Sequence, residues 1–252
     1  MITASLADRI APGNVLVYFT EVQSPSPALI ERLTTRLSSD EQSRAAEFAF
    51  EKDRAVFVAA HALLRYALGL IFEADKIRFR VDTYGKPVLD LPIDHDVHFN
   101  LSHTRGMAVC AICRGCHVGV DVEEINHNVD IVTLAREYFA AAEHQLVVAT
   151  PSENRAETFF RLWTLKEAMV KAIGTGLWSR LADFAFTLEP LSSSVPSQLT
   201  EAAVDWQLWE HAPTAIHRVA LAIRRQHGLT MNVASQFVPF EQLLEIGKHS
   251  HR

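Results

Sequence analysis

Two carboxylates stand two residues apart inside an apolar run, Gly119-Val120-Asp121-Val122-Glu123. Further along, a third acid and a lysine stand four apart in Leu162-Trp163-Thr164-Leu165-Lys166-Glu167-Ala168-Met169-Val170-Lys171. On a β-strand, residues i and i+2 face one side, so Asp121 and Glu123 project together while Val120 and Val122 enter a core. On an α-helix, residues i and i+4 share a face, so Glu167 and Lys171 also project together. Three hard oxygen ligands beside an ammonium suit Mg2+, or Mn2+ in its place, gripping phosphates. Each pair alone has an ordinary explanation. An exposed helical Glu–Lys pair contributes about 0.3–0.5 kcal/mol, and acids that end a strand can lie in solvent. Together they point to chemistry, because acids set into a core-like Val-Asp-Val-Glu strand repel one another unless a cation neutralises them.

Two other segments could bind anions. Phe99-Asn100-Leu101-Ser102-His103-Thr104 reads as a strand that ends in a turn bearing a hydroxyl, an imidazole and a second hydroxyl. Such a turn can donate hydrogen bonds to phosphate oxygens, although a polar turn is also ordinary. Gly85-Lys86-Pro87 reads as a surface turn whose lysine can hold a phosphate or lie along a purine ring. A competing motif is Cys110-x-x-Cys113-x-x-Cys116-His117, which holds every cysteine of the chain. It fits a haem-attachment or a Cys3His zinc pattern. The plainer reading is small apolar residues around a hairpin, since Cys110 and Cys113 should face opposite sides of a strand. His249 and His251 are metal-prone, but they lie in a tail expected to be disordered.

The elements that must position these groups follow from periodicity. Val15–Phe19 reads as a strand, and Pro25 and Pro27 open a helical region. Ser38-Ser39-Asp40-Glu41 resembles a helix start, and Ala55–Ile71 is helical. Strands are expected at Ile77–Val81, His98–Leu101, Met107–Ile112 and Val118–Val122. Helices follow at Ile131–Phe139, Ala141–Val148 and Asn154–Ile173, the last ending near Gly174. Strands return at Phe184–Leu188, Val204–Trp209, His217–Ile223 and Met231–Val233, with Ser192–Ser197 a loop. Helices then strands, twice, give an α+β fold. Asp53–Gly69 and Arg155–Gly174 share apolar spacing and a closing glycine, which suggests two similar halves made by internal duplication. The junction falls near Arg114–Val118, dividing residues 1–115 from 116–252, with the final segment completing the second half's sheet.

Bulk properties narrow the function. The 252 residues are 48% hydrophobic and 21% charged, enough for a substantial core. The net charge of −6 argues against a nucleic-acid surface. No apolar run is long enough to span a membrane and no export signal opens the chain, so the cytoplasm is the expected compartment.

In this order and with these gaps, Gly85-Lys86-Pro87, Phe99-Asn100-Leu101-Ser102-His103, Gly119-Val120-Asp121-Val122-Glu123 and Trp163–Lys171 resemble the 4′-phosphopantetheinyl transferases. The length resembles the Sfp-type branch, in which two similar halves form a pseudo-dimer within one chain. The resemblance covers about Ser38 to Leu188. It implies coenzyme A as donor, a serine of an acyl or peptidyl carrier protein as acceptor, and 3′,5′-ADP as the released product. Asp121, Glu123 and Glu167 match residues that hold magnesium against the pyrophosphate. Glu167 also matches the base for the serine hydroxyl, acting directly or through water, and Lys171 matches the lysine that neutralises the phosphates. Ser102 and His103 match contacts near the 3′-phosphate and pyrophosphate, and Lys86 with Pro87 match the adenine side. The first half would then take the adenine and 3′-phosphate, and the second the metal and the chemistry. The chain departs from the pattern at Val56, where family members carry a basic residue. Arg44 first, then Arg54 or His61, would compensate.

Two other readings stay open at this point: a non-catalytic module that binds coenzyme A or a carrier protein, and a cysteine-based metal or haem protein. A duplicated single chain needs no partner subunit to complete its site, so a monomer is expected.

Overall fold

The computed structural model describes residues 10–83, 85, 87–91, 96–174, 181–196 and 204–245. The first part of the chain forms β1 (Asn14–Glu21), α1 (Pro27–Thr34), α2 (Ser39–Ala46), α3 (Glu51–Gly69), β2 (Phe79–Val81), β3 (Pro87–Leu89), β4 (Val97–Thr104) and β5 (Met107–Arg114). Next come β6 (His117–Glu124), α4 (Ile131–Tyr138), α5 (Ala141–Ala149), α6 (Ser152–Ile173), β7 (Ala185–Leu188), β8 (Leu191–Ser194), β9 (Val204–His211) and β10 (His217–Gln226). The last strand is β11 (Asn232–Phe237). The fold is α+β, and the chain divides into two compact units, Met1–Gly115 with Asn232–Arg252, and Cys116–Met231.

The first unit is built on a four-stranded sheet of order β11-β1-β5-β4. β5 is central and buried from Met107 to Cys113, which is why its sequence is continuously apolar rather than alternating. α3 packs against this sheet through Phe57, Leu64 and Leu68, all in one core cluster with Ile112 and Phe99. α2 starts at a capping box: Ser38 Oγ accepts from the Glu41 N–H at 3.3 Å, and the Glu41 carboxylate accepts from the Ser38 N–H at 2.7 Å.

The second unit carries a three-stranded antiparallel sheet of order β6-β10-β9, with α6 lying across β6 and β10. α6 ends at Gly174, whose φ of 81° is the left-handed conformation that glycine adopts without penalty. β7 and β8 form a separate ribbon.

Three expectations are corrected. β4 continues to Thr104, so Ser102 and His103 belong to a strand rather than a turn, because their partners Val109 and Ala108 extend the β5 ladder. Part of the expected Ser192–Ser197 loop is strand β8, paired with β7. The final strand does not complete the second unit's sheet. β11 pairs in parallel with β1, Asn14 opposite Asn232 through Phe19 opposite Phe237. Among the described residues, no helix is long and apolar enough to cross a membrane.

Candidate active site

The centre of the second unit is set by a missing side chain. A Cβ on Gly119 would lie 2.0 Å from the Ala168 carbonyl oxygen and 2.4 Å from the Ala172 nitrogen. α6 therefore rests directly on β6, glycine facing two alanines four residues apart. Residues 119, 121 and 123 share this side of the strand. Asp121 is consequently pressed against the helix, 4% exposed. Glu167 and Lys171 immediately precede Ala168 and Ala172, so the same packing holds them beside the strand.

Lys171 Nζ donates to Asp121 Oδ1 at 2.6 Å. Burial, then the negative charge of Asp121, push the Glu167 carboxyl above its ordinary range, while Lys171 pulls it back. Asp121, Glu167 and Lys171 thus act on one another as one electrostatic group. Glu123 is half-buried on the same side of β6, directly across the ladder from Arg218 of β10. Among the described residues, no three His, Cys, Asp or Glu side chains close into a ready-made metal cage. The donor set still fits a hard divalent cation: its oxygens are carboxylates, and the repulsion that raises Glu167 is what such an ion relieves. From Leu162 to Ala172, the residues of α6 that are not buried are Trp163, Glu167 and Lys171, a strip at four-residue spacing.

Lys166 was not singled out from the sequence, although its place among Leu165 and Met169 on the core side was the available signal. It is fully buried, and Nζ lies 2.7 Å from the Glu143 carboxylate and donates to the carbonyls of Leu181 and Phe184 at 2.9 and 2.6 Å. Glu143 in turn accepts from the Ala140 and Phe186 N–H groups, both at 2.8 Å. This knot ties α5, α6 and β7 together one residue before Glu167.

The first unit holds a cavity of about 740 Å3 whose lining includes Arg36, Arg44, Arg65, Arg78, Arg80 and His61, with Phe79, Pro87 and Leu101 as apolar surface. Glu41 belongs to this wall. Its carboxylate receives Arg65 at 2.7 Å and lies 2.9 Å from His61 Nδ1. Burial would raise the Glu41 carboxyl, but His61, the Ser38 N–H and Arg65 hold it down at about 2. Arg44 stacks its guanidinium over Phe57 at 5.6 Å, within this lining. Arg54 is placed elsewhere: it pairs with Glu31 at 2.8 Å and Glu51 at 3.6 Å and is not part of the cavity wall. Val56 is core. Pro87 lines the cavity, while Lys86 lies outside the described residues. On β4, exposed His103 shares the side of Leu101, which lines the cavity, and Ser102 is buried on the other.

The cysteine reading does not survive. Cys110 and Cys113 are both fully buried three residues apart on β5, so they face opposite sides. Burial also pushes the Cys110 thiol far above its ordinary range, away from the thiolate a metal needs. His249 and His251 lie outside the described residues.

Residues 117–224 match the family model of the 4′-phosphopantetheinyl transferase superfamily, and residues 23–114 match that of the 4′-phosphopantetheinyl transferase N-terminal region. The gap between the two matches coincides with the boundary between the units. The chain is 35% identical over 187 residues to 4′-phosphopantetheinyl transferase HetI of Nostoc sp., covering 73% of this chain and 77% of that protein. It is 32% identical over 154 residues to 4′-phosphopantetheinyl transferase gsp of Aneurinibacillus migulanus, covering 60% and 62% respectively. Against 4′-phosphopantetheinyl transferase Sfp of Bacillus subtilis, it is 29% identical over 161 residues, covering 63% and 69%. With these matches spanning both units, the chain belongs to the 4′-phosphopantetheinyl transferase superfamily.

Proposed function

We propose that this chain transfers the 4′-phosphopantetheine group of coenzyme A to a serine of an acyl or peptidyl carrier protein and releases 3′,5′-ADP. One observation carries the reading: in a member of this superfamily, Lys171 pairs with Asp121 at 2.6 Å and both act on the half-buried Glu167. A non-catalytic binding module has no need of this charged group under strain.

The roles follow from the chemistry. A serine hydroxyl is a poor nucleophile and needs a base. Glu167, half-buried beside Asp121 and Lys171, takes the hydroxyl proton directly or through one water. The serine oxygen bonds to the phosphorus that carries pantetheine, and the bond from that phosphorus to the bridging oxygen breaks, so the electron pair leaves with 3′,5′-ADP. Lys171 offsets the negative charge that gathers on the phosphates. Asp121, Glu123 and Glu167 would hold Mg2+, or Mn2+, which when bound supplies charge neutralisation at the pyrophosphate.

Coenzyme A carries a second anionic end. The arginine-rich cavity of the first unit is the place for its adenine and 3′-phosphate, with Arg44, Pro87 and His103 as contacts and Lys86 as a further one; Ser102, buried on the other side of β4, would support this wall from behind. Arg54 drops out, because Glu31 already neutralises it. We read the two units as a duplicated pair, supported by a long helix packed on a sheet in each. The chain acts as a cytoplasmic monomer, with neither nucleic acid nor membrane as partner.

The test is direct. The protein is incubated with apo carrier protein, coenzyme A and Mg2+, and the carrier is weighed by mass spectrometry. A gain of one phosphopantetheine mass is expected. No gain on any of several carriers overturns the assignment.

A further inference from the structure

One wall of the cavity in the first unit carries an imidazole among its arginines. Phe57 of α3, buried in the core, supports two of the groups there. Its ring centroid lies 4.3 Å from that of His61 and 5.6 Å from the guanidinium carbon of Arg44. Both groups line the cavity. A ring fixed by core packing thus carries an arginine and a titratable side chain on one platform.

Behind His61 stands Glu41, itself 8% exposed. Its Oε2 accepts from the Ser38 N–H at 2.7 Å and from Arg65 Nε at 2.9 Å, and its Oε1 lies 2.9 Å from His61 Nδ1. Burial opposes the charge on Glu41, but His61, the Ser38 N–H and Arg65 keep it ionised, so the carboxylate can only accept. The proton between the two side chains therefore sits on Nδ1. The other ring nitrogen, Nε2, has no hydrogen-bond partner among the described residues. In a neutral ring held this way Nε2 is an acceptor, and a phosphate oxygen would meet a lone pair; in an imidazolium it is a donor.

Resting on the function proposed above, we infer that His61 takes up a proton when coenzyme A binds and donates from Nε2 to the 3′-phosphate, with Glu41 as the positioning residue that fixes the ring and its tautomer. The proton comes from solvent and no bond of the ligand changes. Glu41, Arg44 and the exposed Asp40 face the ring from α2, and Arg65 shares α3 with it. Arg36 stands just before α2, while Arg78 and Arg80 line the cavity from β2 and the residues leading into it. Five arginines against two acids draw a phosphate in, and the phosphate brings the negative charge beside which an imidazolium is favoured. His61 then supplies from α3 the cation that Val56, turned into the core, does not.

The experiment is calorimetric titration of the full chain with 3′,5′-ADP at about pH 7.5, in two buffers of different ionisation enthalpy. The difference between the buffers reads the protons taken up. The phosphates of the ligand, whose second ionisation lies near pH 6, are already dianionic there and contribute no uptake. The parent should take up a proton. His61→Gln, which keeps a donor for Glu41, should take up none and bind 3′,5′-ADP roughly tenfold more weakly. His61→Arg, charged at every working pH, should restore the affinity without uptake. Glu41→Gln should lower the uptake, which a merely structural loss would leave unchanged. Circular dichroism checks the fold of each variant. Binding by the parent without proton uptake, or uptake that persists in His61→Gln, ends the role of His61 and leaves the transfer assay to judge the function separately. Undiminished uptake in Glu41→Gln removes Glu41 as the positioning residue. A parent that neither binds 3′,5′-ADP nor modifies a carrier loses this inference and the function together.

Discussion

Lys171 Nζ and Asp121 Oδ1, 2.6 Å apart, join the last turn of α6 to the middle of β6. The aspartate is nearly buried, and the lysine side chain is 28% exposed. Such a pair favours structure weakly when intact but leaves a stranded charge when broken.

Lys171→Met should therefore abolish most transfer and lower stability by about 2 kcal/mol. Lys171→Met combined with Asp121→Asn should recover much of the stability and none of the activity. Denaturant unfolding together with the mass-spectrometric assay separates the two effects. A double variant that regains transfer would show that the pair is structural only.

Gly119→Ala is expected to be more damaging than its size suggests. The added carbon meets backbone atoms of α6 at 2.0 and 2.4 Å, so the helix must lift. A cost of about 3 kcal/mol, at the upper end for overpacking, is expected, with loss of transfer because Glu167 and Lys171 move with the helix. An unchanged Tm in the variant contradicts this account.

Glu167→Gln should remove the proton acceptor and, with it, the buried charge and then the repulsion from Asp121, which together raise the Glu167 carboxyl. The variant should be inactive yet melt at a higher temperature than the parent, the signature of a group kept for chemistry at the expense of stability. A lower Tm would mean that Glu167 is a net contributor to the fold.

Glu41 provides the pH test, with the opposite sign. Its folded-state value of about 2 lies below the ordinary 4.5. The stabilisation is fully present above pH 4.5 and is lost as pH falls from there through the folded value. It amounts to something on the order of 3 kcal/mol. Glu41→Gln should flatten the acid limb of the stability profile measured by chemical denaturation. An acid limb as steep as that of the parent would assign the effect to other groups.

Arg44→Ala should raise KM for coenzyme A several-fold, whereas Arg54→Ala should leave it near the parent value. The first residue lines the cavity and the second is neutralised by Glu31. Kinetics with coenzyme A as the varied substrate decides between them, and equal effects would remove the cavity from the donor site.

The chemistry was legible because it sits on regular elements. Asp121 with Glu123, and Glu167 with Lys171, obey the strand and helix periods, so sequence spacing alone brought each pair together. Joining the pairs required Gly119 against Ala168 and Ala172, a contact between distant segments that no local pattern announces. The same holds for the basic residues. The sequence ranks Arg44 ahead of Arg54, and the approach of α1 adds that Glu31 pairs with Arg54 while Arg44 lines the cavity. The partners of Lys166, Glu143 and the Leu181 and Phe184 carbonyls, come from separate segments, so its core-side position alone does not announce a buried ion pair. The sequence points β11 to the second sheet because a parallel partner more than two hundred residues away leaves no mark on a strand's own sequence.

That last strand has a consequence for how the molecule is made. Asn232 donates to the Gly13 carbonyl and Val238 to that of Phe19, at 2.7 and 2.8 Å, along β1 from Asn14 to Phe19. The first unit is thus finished by residues that follow the second in sequence, and the second unit is spliced between the two parts of its host. A chain cut short after Met231 would lose nothing of the second unit, yet leave an open edge on the first. The β1–β11 ladder is then the contact that such a cut removes.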